Sequence, residues 1–458
     1  MSDPFLLQHR VGHRQYNISE SVSPASIRDQ MIRGRLVVDR LTELGHINRI
    51  DRRLLVIGAG AAGATAAMRA AETGIHTTLV DRDQRPFMRQ RGCMSRWLDP
   101  AQYDWPLEHW TARTFPWASK PMPLPWSAAH AVDVAGMWDI ALTACRAAHR
   151  ANLEIYPNTT CPAKPQRTGA LLDVQLVTGT TQRTQSFGAV VIGHGPGSEK
   201  CTIGAYSGFR FWDTDTFEQP NLGLPSGIAP AILISGGGDG ALQDFLRITT
   251  GESSAKTLYQ QLRNTANDVP WTKVEAAIQC AEDQATRAYV WGANDGHDHG
   301  VLQTLQSVHE QQVRTIFSIR SQQLEYAMRG MLRQPVPSVL LVCRCTHFAR
   351  AYALNRFLVL LIAEYANRAD RRQFLKFGHE LEGVAGVSHT CQNDPQACFG
   401  QDHEGKLIEA SCFSKGVSSI AAGTHNVVVV RHGVRPPDKR LGTFKVRLPR
   451  QILPYVFP

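Results

Sequence analysis

Two glycine clusters are the residues best suited by type and spacing to hold a charged ligand. Gly58-Ala59-Gly60-Ala61-Ala62-Gly63 runs G-x-G-x-x-G, and Asp81 follows eighteen residues after Gly63. Gly236-Gly237-Gly238-Asp239-Gly240-Ala241 runs G-x-G-x-x-A. This spacing suits a dinucleotide: the first glycine permits a tight turn, the second lets backbone approach a pyrophosphate, and the third lets helix and strand pack closely. The helix that follows offers free N–H groups to phosphate, and an acid placed like Asp81 accepts hydrogen bonds from a ribose diol. The candidate ligand contacts are therefore Gly58, Gly60, Ala62, Gly63, Asp81 and Arg82 at the first cluster. At the second they are Gly236, Gly238, Asp239 and Ala241. Arg82, Arg85 and Arg91 could neutralise a pyrophosphate, with plain surface charge as the other reading. A structural strand-turn-helix is the alternative at both clusters.

The remaining reactive side chains point less sharply. His194 and His432 lie in two similar segments, Val190-Val191-Ile192-Gly193-His194-Gly195 and Val429-Val430-Arg431-His432-Gly433. Either histidine could contact cofactor or substrate or act as an acid-base group, because imidazole titrates near neutrality; each also suits a loop cap. Gly195 belongs to the same group of candidate cofactor contacts. Cys343-Arg344-Cys345 is the nearest approach to a dithiol, but alternate strand residues face opposite ways. Cys391, Cys398 and Cys412 with His389 and His403 match no common zinc spacing, so no metal site is expected. His297-Asp298-His299 reads as a solvated loop. Six of the nine tryptophans, Trp97, Trp105, Trp110, Trp117, Trp126 and Trp138, crowd one proline-rich stretch. They could line an apolar ligand pocket or form a rigid cap.

The elements that position these residues follow from pattern. Leu54-Leu55-Val56-Ile57 reads as a buried strand, Ala64 to Thr73 as a helix and His76 to Val80 as the next strand, which makes a β-α-β unit. Gly136 to Arg150 reads as a helix, Leu153 to Tyr156 as a strand, and Leu172 to Val177 with Gln182 to Ser186 as a hairpin. Ala231 to Ser235 is a strand that runs into the second glycine cluster. A helical stretch follows it, and then Val339 to Val342 with Leu354 to Tyr365 forms a strand-helix pair. Residues 1–50 read as an extension whose helix starts at Ser23-Pro24 and stops at Gly45, packing through Ile27, Met31, Val38 and Leu41 on the main body or on a partner.

With these elements in place, the chain resembles flavoproteins that carry two dinucleotide-binding domains, such as thioredoxin reductases and flavin-dependent monooxygenases. Ala189-Val190-Val191-Ile192-Gly193-His194-Gly195-Pro196-Gly197 stands where that family has V-I-x-A-T-G-x-x-P, and Gly236 to Ala241 resembles its G-G-G-D-S-A. The resemblance implies an α/β fold of two doubly wound Rossmann-like domains, the second inserted in or following the first. It implies an FAD-binding domain at 51–229 and an NAD(P)-binding domain at 230–433, which carries a helical insertion at about 245–335. Residues 434–458 form a tail. The implied cofactors are FAD and NADPH or NADH, and the implied activity is reduction of flavin by NAD(P)H, with electrons passed to oxygen or a small organic acceptor.

The pattern also departs from that family. No clear glycine-aspartate segment follows Gly433, so FAD is held differently, the member is trimmed, or the flavin site is degenerate. Thr249 to Arg263 reads as helical or irregular where a second strand with phosphate-reading basic residues is expected, leaving Arg247 or Lys256 as candidates. Two rivals stand beside the oxidoreductase: a non-catalytic nucleotide sensor or scaffold acting through partners, and a flavin-dependent amino-acid oxidase.

Composition sets the outer limits. The chain has 458 residues, of which 43% are hydrophobic and 19% charged, with a net charge of +9. Its mean hydropathy is −0.23. These values fit a folded protein of two or three domains and exclude a highly charged disordered chain. The longest apolar run, Phe357 to Ala363, is too short to span a bilayer. Ten dispersed cysteines and no apolar leader point to the cytoplasm. The excess of Lys and Arg suits anionic partners, with nucleic acid a minor alternative. A homo-oligomer or a protein partner at the amino-terminal helix is also compatible.

Overall fold

The computed structural model describes residues 3–19, 26–107, 124–195, 197–204, 206–224, 226–227, 229–291, 295–370, 372–385, 408–414, 417–425 and 427–434. Two parallel sheets organise them. The first runs, edge to edge, Arg10–Gly12, Gln15–Asn17, Ala189–Ile192, Leu54–Ile57, Thr77–Val80 and Leu153–Tyr156. Its three inner strands, Ala189–Ile192, Leu54–Ile57 and Thr77–Val80, are almost wholly buried on both faces, as a sheet covered on two sides requires. Helices Ala61–Glu72 and Ala131–Ala148 cover one face, and an antiparallel hairpin, Leu171–Thr178 with Thr181–Phe187, packs on the other through Leu172, Val174, Leu176 and Phe187.

The amino-terminal segment is part of this sheet rather than an appendage. Gln15–Asn17 pairs in parallel with Ala189–Ile192, and helix Ile27–Glu43 lies against the alanine-rich helix Ala61–Glu72. Ser26 caps that helix in a capping box with Asp29, correcting the expected start at Ser23-Pro24. The two helices touch closely enough that a Cβ on Gly34 would sit 2.5 Å from the Ala62 carbonyl oxygen. The face offered to the main body or to a partner is thus taken by the main body, with Met31, Val37, Val38 and Leu41 fully buried.

The second sheet runs Leu375–Phe377, Ser338–Cys343, Ala231–Ser235 and Val427–Val430, all parallel. In each unit the glycine-bearing strand is the first and sits between the second strand and the fourth. The order 3-2-1-4 therefore occurs twice, and each unit has its switch point between its first and fourth strands. Among the described residues every strand of the first sheet precedes residue 193 and every strand of the second follows residue 230, so the second unit follows the first in the chain. Five helices, Asp239–Thr250, Ala255–Thr265, Trp271–Trp291, Asp295–Ser318 and Gln322–Met331, separate the first two strands of the second sheet. Where a second strand was expected near Thr249 to Arg263 there is helix. The strand that fills that place is Ser338–Cys343. No helix among the described residues is long and apolar enough to cross a membrane.

The two units are joined by buried charge. Arg96, from the first unit, makes ion pairs with Asp215 of the connecting segment (3.1 Å) and with Asp244 of helix Asp239–Thr250. Arg247 binds Asp215 (2.9 Å), Asp244 (3.2 Å) and Glu218, while Arg431 binds Asp244 at 2.8 Å. Backbone carbonyls of the connecting segment complete the set, Phe211 accepting from Arg96 and Phe209 from Arg431, both at 2.7 Å. Three guanidinium groups thus face three carboxylates. Burial opposes ionisation of Asp244, but Arg96, Arg431 and Arg247 hold its carboxyl down at about 2.

Removing one member leaves the others charged and enclosed. Asp244→Ala should cost about 3–5 kcal/mol in chemical denaturation, and a loss below about 1 kcal/mol would contradict this network. Because the folded carboxyl lies below its unfolded value near 4, its contribution is complete above that pH and is lost as pH falls toward 2. The variant should accordingly show a flatter acid limb than the parent.

Candidate dinucleotide sites

Both glycine clusters lie at their unit's switch point, and the backbone there is repeated bond for bond. The Gly58 N–H donates to the Val80 carbonyl at 2.7 Å, and the Gly236 N–H to the Val342 carbonyl at 3.0 Å. The Gly193 N–H donates to Ile57 (2.7 Å) and the Arg431 N–H to Ser235 (2.8 Å). The two similar segments noted in sequence therefore occupy equivalent places, each following a fourth strand. Gly58 and Gly236 have φ of +102° and +148°, and a Cβ on either would meet the neighbouring backbone: the Gly193 carbonyl oxygen at 2.6 Å or that of Arg431 at 2.4 Å. Gly63 is as constrained, since a Cβ there would fall 1.9 Å from the Gly58 carbonyl oxygen. Ala241 takes its place in the second unit and is fully buried.

The middle glycines differ in kind. Gly60 and Gly238 cap their helices in extended conformation, and a Cβ on either would meet nothing within 4 Å. Open space at the N-terminus of a helix, beside a glycine backbone, is the arrangement that accepts a pyrophosphate. Both turns fit a dinucleotide on that observation. Ala62 lies in the first helical turn at the first site.

Asp81 ends the second strand of the first unit. Its carboxylate accepts from the Ala59 N–H and, at 2.8 Å, from the Asp83 N–H, and burial raises its pKa while these two bonds lower it. Arg82 is exposed beside Asp83, and Arg91 is committed to Asp139 at 2.8 Å. The arginine that reaches the crevice is Arg89, which the sequence reading passed over. It donates to the Gly197 carbonyl at 2.9 Å and lies against Gly195. Ser19, from the amino-terminal segment, accepts from the Gly195 N–H at 3.1 Å and donates to the Ile192 carbonyl. Nothing local in sequence marks Ser19, because its role depends on pairing across more than 170 residues. His194 sits here too, its Nδ1 3.0 Å from the Gly195 carbonyl oxygen.

At the second site Asp239 is the first residue of its helix but turns its carboxylate sideways. It accepts from the Asn355 side chain (2.7 Å), the Tyr352 N–H (3.2 Å) and Gln243 (3.0 Å). Burial pushes its pKa up to about 6 against those bonds. His432 Nε2 is 2.8 Å from the Ser235 hydroxyl, and burial lowers its pKa, with Glu380 opposing and Lys200 and Arg344 assisting. Arg247 is buried in the ionic network and is not available to a phosphate, which corrects that candidate; Lys256 lies on helix Ala255–Thr265.

The tryptophan-rich stretch builds core and interface. Trp126 and Trp138 pack edge to face in the first unit's core at 5.7 Å, and Trp105 stacks on Phe357 of the second unit at 5.6 Å. Tyr103 meets Tyr352 at 4.6 Å. Trp110 and Trp117 lie outside the described residues, as do Cys391, Cys398, His389 and His403. Cys343 is buried and Cys345 exposed, and neither is in a disulfide. His297, Asp298 and His299 lie in helix Asp295–Ser318 rather than in the expected loop, and His299 Nδ1 is 2.6 Å from the Nε2 of His347. A groove of about 590 Å³ lies between Pro106 and Leu107 and the helix Trp271–Trp291, lined by no residue of either glycine turn.

Residues 56–119 match the family described as NAD(P)-binding Rossmann-like domain, a span that holds the first glycine turn, the second strand and Asp81. No curated protein matches the chain by sequence. Among solved structures, the chain is similar to a bacillithiol disulfide reductase from Staphylococcus aureus, with 10% identity over 85% of this chain and 79% of that one, at a TM-score of 0.40. A thioredoxin reductase from Lactococcus lactis shares 10% identity over 85% and 80% of the two chains, at 0.37. An ornithine N-hydroxylase from Kutzneria sp. 744 shares 12% over 86% and 83%, at 0.39.

Two outcomes follow from this geometry. Gly60→Phe and Gly238→Phe, which point into open space, should leave thermal stability nearly unchanged and abolish nucleotide binding at their own turn in calorimetry, whereas Gly63→Ala should destabilise by several kcal/mol. Asp239 should titrate near pH 6 by carboxyl-resolved NMR. Since its folded pKa is raised, its contribution is complete below pH 4 and declines as pH rises through 6, so the parent should lose stability relative to Asp239→Asn over that interval.

Proposed function

We propose that the chain is an oxidoreductase that binds FAD at the first turn and NAD(P)H at the second. Electrons pass from the nicotinamide to the flavin, and from the flavin to oxygen or a small organic acceptor. The single observation that carries the reading is the presence of two complete 3-2-1-4 units, each with an open glycine turn at its switch point, locked together by buried ion pairs. Two such units in fixed orientation are what hydride transfer between two dinucleotides needs, because the reaction depends on holding donor and acceptor in register. When bound, the flavin would accept the hydride from the nicotinamide and hand its electrons on.

The chain's own residues bind and orient. Gly60 and the N-terminus of Ala61–Glu72 would take the first pyrophosphate, with Arg89 as counter-charge and Asp81 facing the ribose. Gly238 and the N-terminus of Asp239–Thr250 would take the second. Ser235 fixes the ring of His432, leaving its other nitrogen for ligand or proton. Cys343 is buried and Cys345 exposed, so the acceptor we favour is not a disulfide reduced through these thiols.

The visible spectrum of the purified protein tests this directly. A flavin band that bleaches on anaerobic addition of NADPH or NADH is the expected result. A protein that stays colourless after incubation with FAD overturns the reading and favours a nucleotide sensor. A flavin band untouched by either nicotinamide favours an oxidase that uses the first site alone, and in that case Gly238→Phe should leave turnover unchanged.

A further inference from the structure

The edge of the first sheet opposite the crevice carries an unbalanced group of cations. The turn at 12–15 precedes the strand Gln15–Asn17 and the loop at 45–53 precedes Leu54–Ile57, and both strands run parallel to Ala189–Ile192. Turn and loop therefore lie at the amino ends of the strands, whereas the first glycine turn lies at the carboxyl ends. The five residues from Arg53 to Gly58 put roughly 16 Å of extended chain between the two edges. Arg14 donates to the Ala170 carbonyl at 2.7 Å, Arg10 and Arg167 donate to the Gly12 and Gly169 carbonyls, both at 3.1 Å, and Arg52 donates to the Gly45 carbonyl. Among the described residues no carboxylate pairs with any of these four guanidinium groups. The acids on the surrounding elements are engaged elsewhere: Asp51 accepts from Asn48 (2.9 Å), Glu43 pairs with Arg40 (2.5 Å), Asp173 accepts from Thr168 (2.6 Å) and Ser186 (2.5 Å), and Asp3 accepts from the Leu6 N–H (2.9 Å). The backbone beneath the cluster is fixed. The Val190 N–H donates to the Arg14 carbonyl (2.9 Å) and the Gly188 N–H to the Arg53 carbonyl (2.8 Å), and a Cβ on Gly188 would fall 2.5 Å from the His46 carbonyl oxygen.

We propose that this edge binds a compact, multiply charged phosphate compound, held by Arg10, Arg14, Arg52 and Arg167 at a site separate from both glycine turns. The inference does not rest on the cofactor reading. A guanidinium whose partner is a neutral carbonyl keeps other donors free, and its five N–H groups form a fork that matches phosphate oxygens. Like charges gathered without a counter-ion raise the energy of the empty site, and an anion relieves it. His13 and His46 register that field. Burial lowers the pKa of His13, and Arg167, Arg14 and Arg10 lower it further. Burial, Arg14, His13, Arg52 and Arg10 do the same to His46, whose Nδ1 is 3.2 Å from the Tyr16 hydroxyl. Arg14 itself is lowered by burial, Arg52 and Arg167, with Tyr16 opposing. Phosphate suits the cluster better than carboxylate because it gathers more than one negative charge on a single group. A nucleic-acid strand would need a longer basic track with exposed aromatic rings for its bases, and here the ring beside the cluster, Tyr16, is buried.

Calorimetry with tripolyphosphate tests the site on the full chain carrying Gly60→Phe and Gly238→Phe, which closes both turns to phosphate. Binding should persist in that background and weaken as salt rises. Adding Arg10→Glu with Arg167→Glu should weaken it about tenfold or more. Both side chains are exposed, so the charge-reversed protein should melt with its parent. Arg14→Lys, which keeps the charge and loses the fork, should weaken binding less. A bound anion opposes the field of the guanidinium groups, so His13 and His46 take up protons on binding. Affinity should therefore rise as pH falls from about 8 to about 5.5, and rise less when both histidines are replaced by Gln. Absence of tripolyphosphate binding, binding unchanged by the charge reversal, or binding lost once the turns are closed overturns the site. Capture of a single-stranded RNA oligonucleotide or of anionic lipid vesicles, with tripolyphosphate inert, also overturns it, because the ligand is then a macromolecular surface and not a compact phosphate.

Discussion

Arg96, Arg247 and Arg431 against Asp215, Asp244 and Glu218 form the contact on which the arrangement of the two units depends. Except for Glu218, these side chains are almost entirely out of water, so each charge is tolerable only because opposite charges are fixed beside it. The energetic case is one of mutual dependence rather than of added stability, since apolar groups of the same shape could fill the space as well. The network supplies orientation. Asp244 accepts from Arg96 of the first unit and from Arg247 and Arg431 of the second, so rotating one unit against the other would strip the Arg96 pair and leave its charge enclosed. Arg431 ties this lock to the chemistry: its guanidinium holds Asp244 while its carbonyl closes on Gly236. The second glycine turn and the domain interface are therefore one mechanical unit.

A second line of contacts runs from the tryptophan-rich stretch to the same helix. Gln102 donates to Asn355 at 3.2 Å, and Asn355 donates to Asp239 at 2.7 Å. Tyr103 and Trp105 press on Tyr352 and Phe357 across the interface. Aromatic side chains that could have lined a ligand pocket are spent on holding the second unit's crossover helix against the first unit. The raised pKa of Asp239 arises in this dry layer, where burial outweighs the hydrogen bonds that favour its ionised form.

What could be read from sequence was what is local. Leu54–Ile57, the G-x-G-x-x-G turn, its helix and Asp81 fall within thirty residues, and periodicity with glycine spacing located all of them. The second turn was equally legible. Its partner strand was not recognised as such, because five helices intervene and spacing alone gives no reason to join Ser235 to Ser338. Arg247 looked suitable for a phosphate because it lies a short way past the turn; its true partners, Asp215 and Glu218, stand about thirty residues upstream and reach it only in the folded chain. Arg89 was hidden among four arginines between residues 82 and 91. Which of them faces the crevice depends on a single helical turn, Met88–Arg91, and on the Gly197 carbonyl that receives it. The two similar valine-histidine segments were visible as text, and only the sheet order explains them: each is the fourth strand of a unit, closing on the first.

The helical elaboration also explains why the two sites could diverge. Lengthening the crossover between the first and second strands costs only a slowly growing loop entropy, and these helices recover it by burying their own apolar faces in the second unit's core. The insertion leaves the glycine turn, the fourth strand and the end of the second strand in place, since Ala231–Ser235 and Ser338–Cys343 are paired on both sides and Val427–Val430 pairs with Ala231–Ser235. Chemistry at the turn is thereby insulated from the length of the crossover. The residue after the last pair with the first strand differs between the units, Asp81 in one and a buried Cys343 followed by Arg344 in the other, while the sheet bonds beside it are kept.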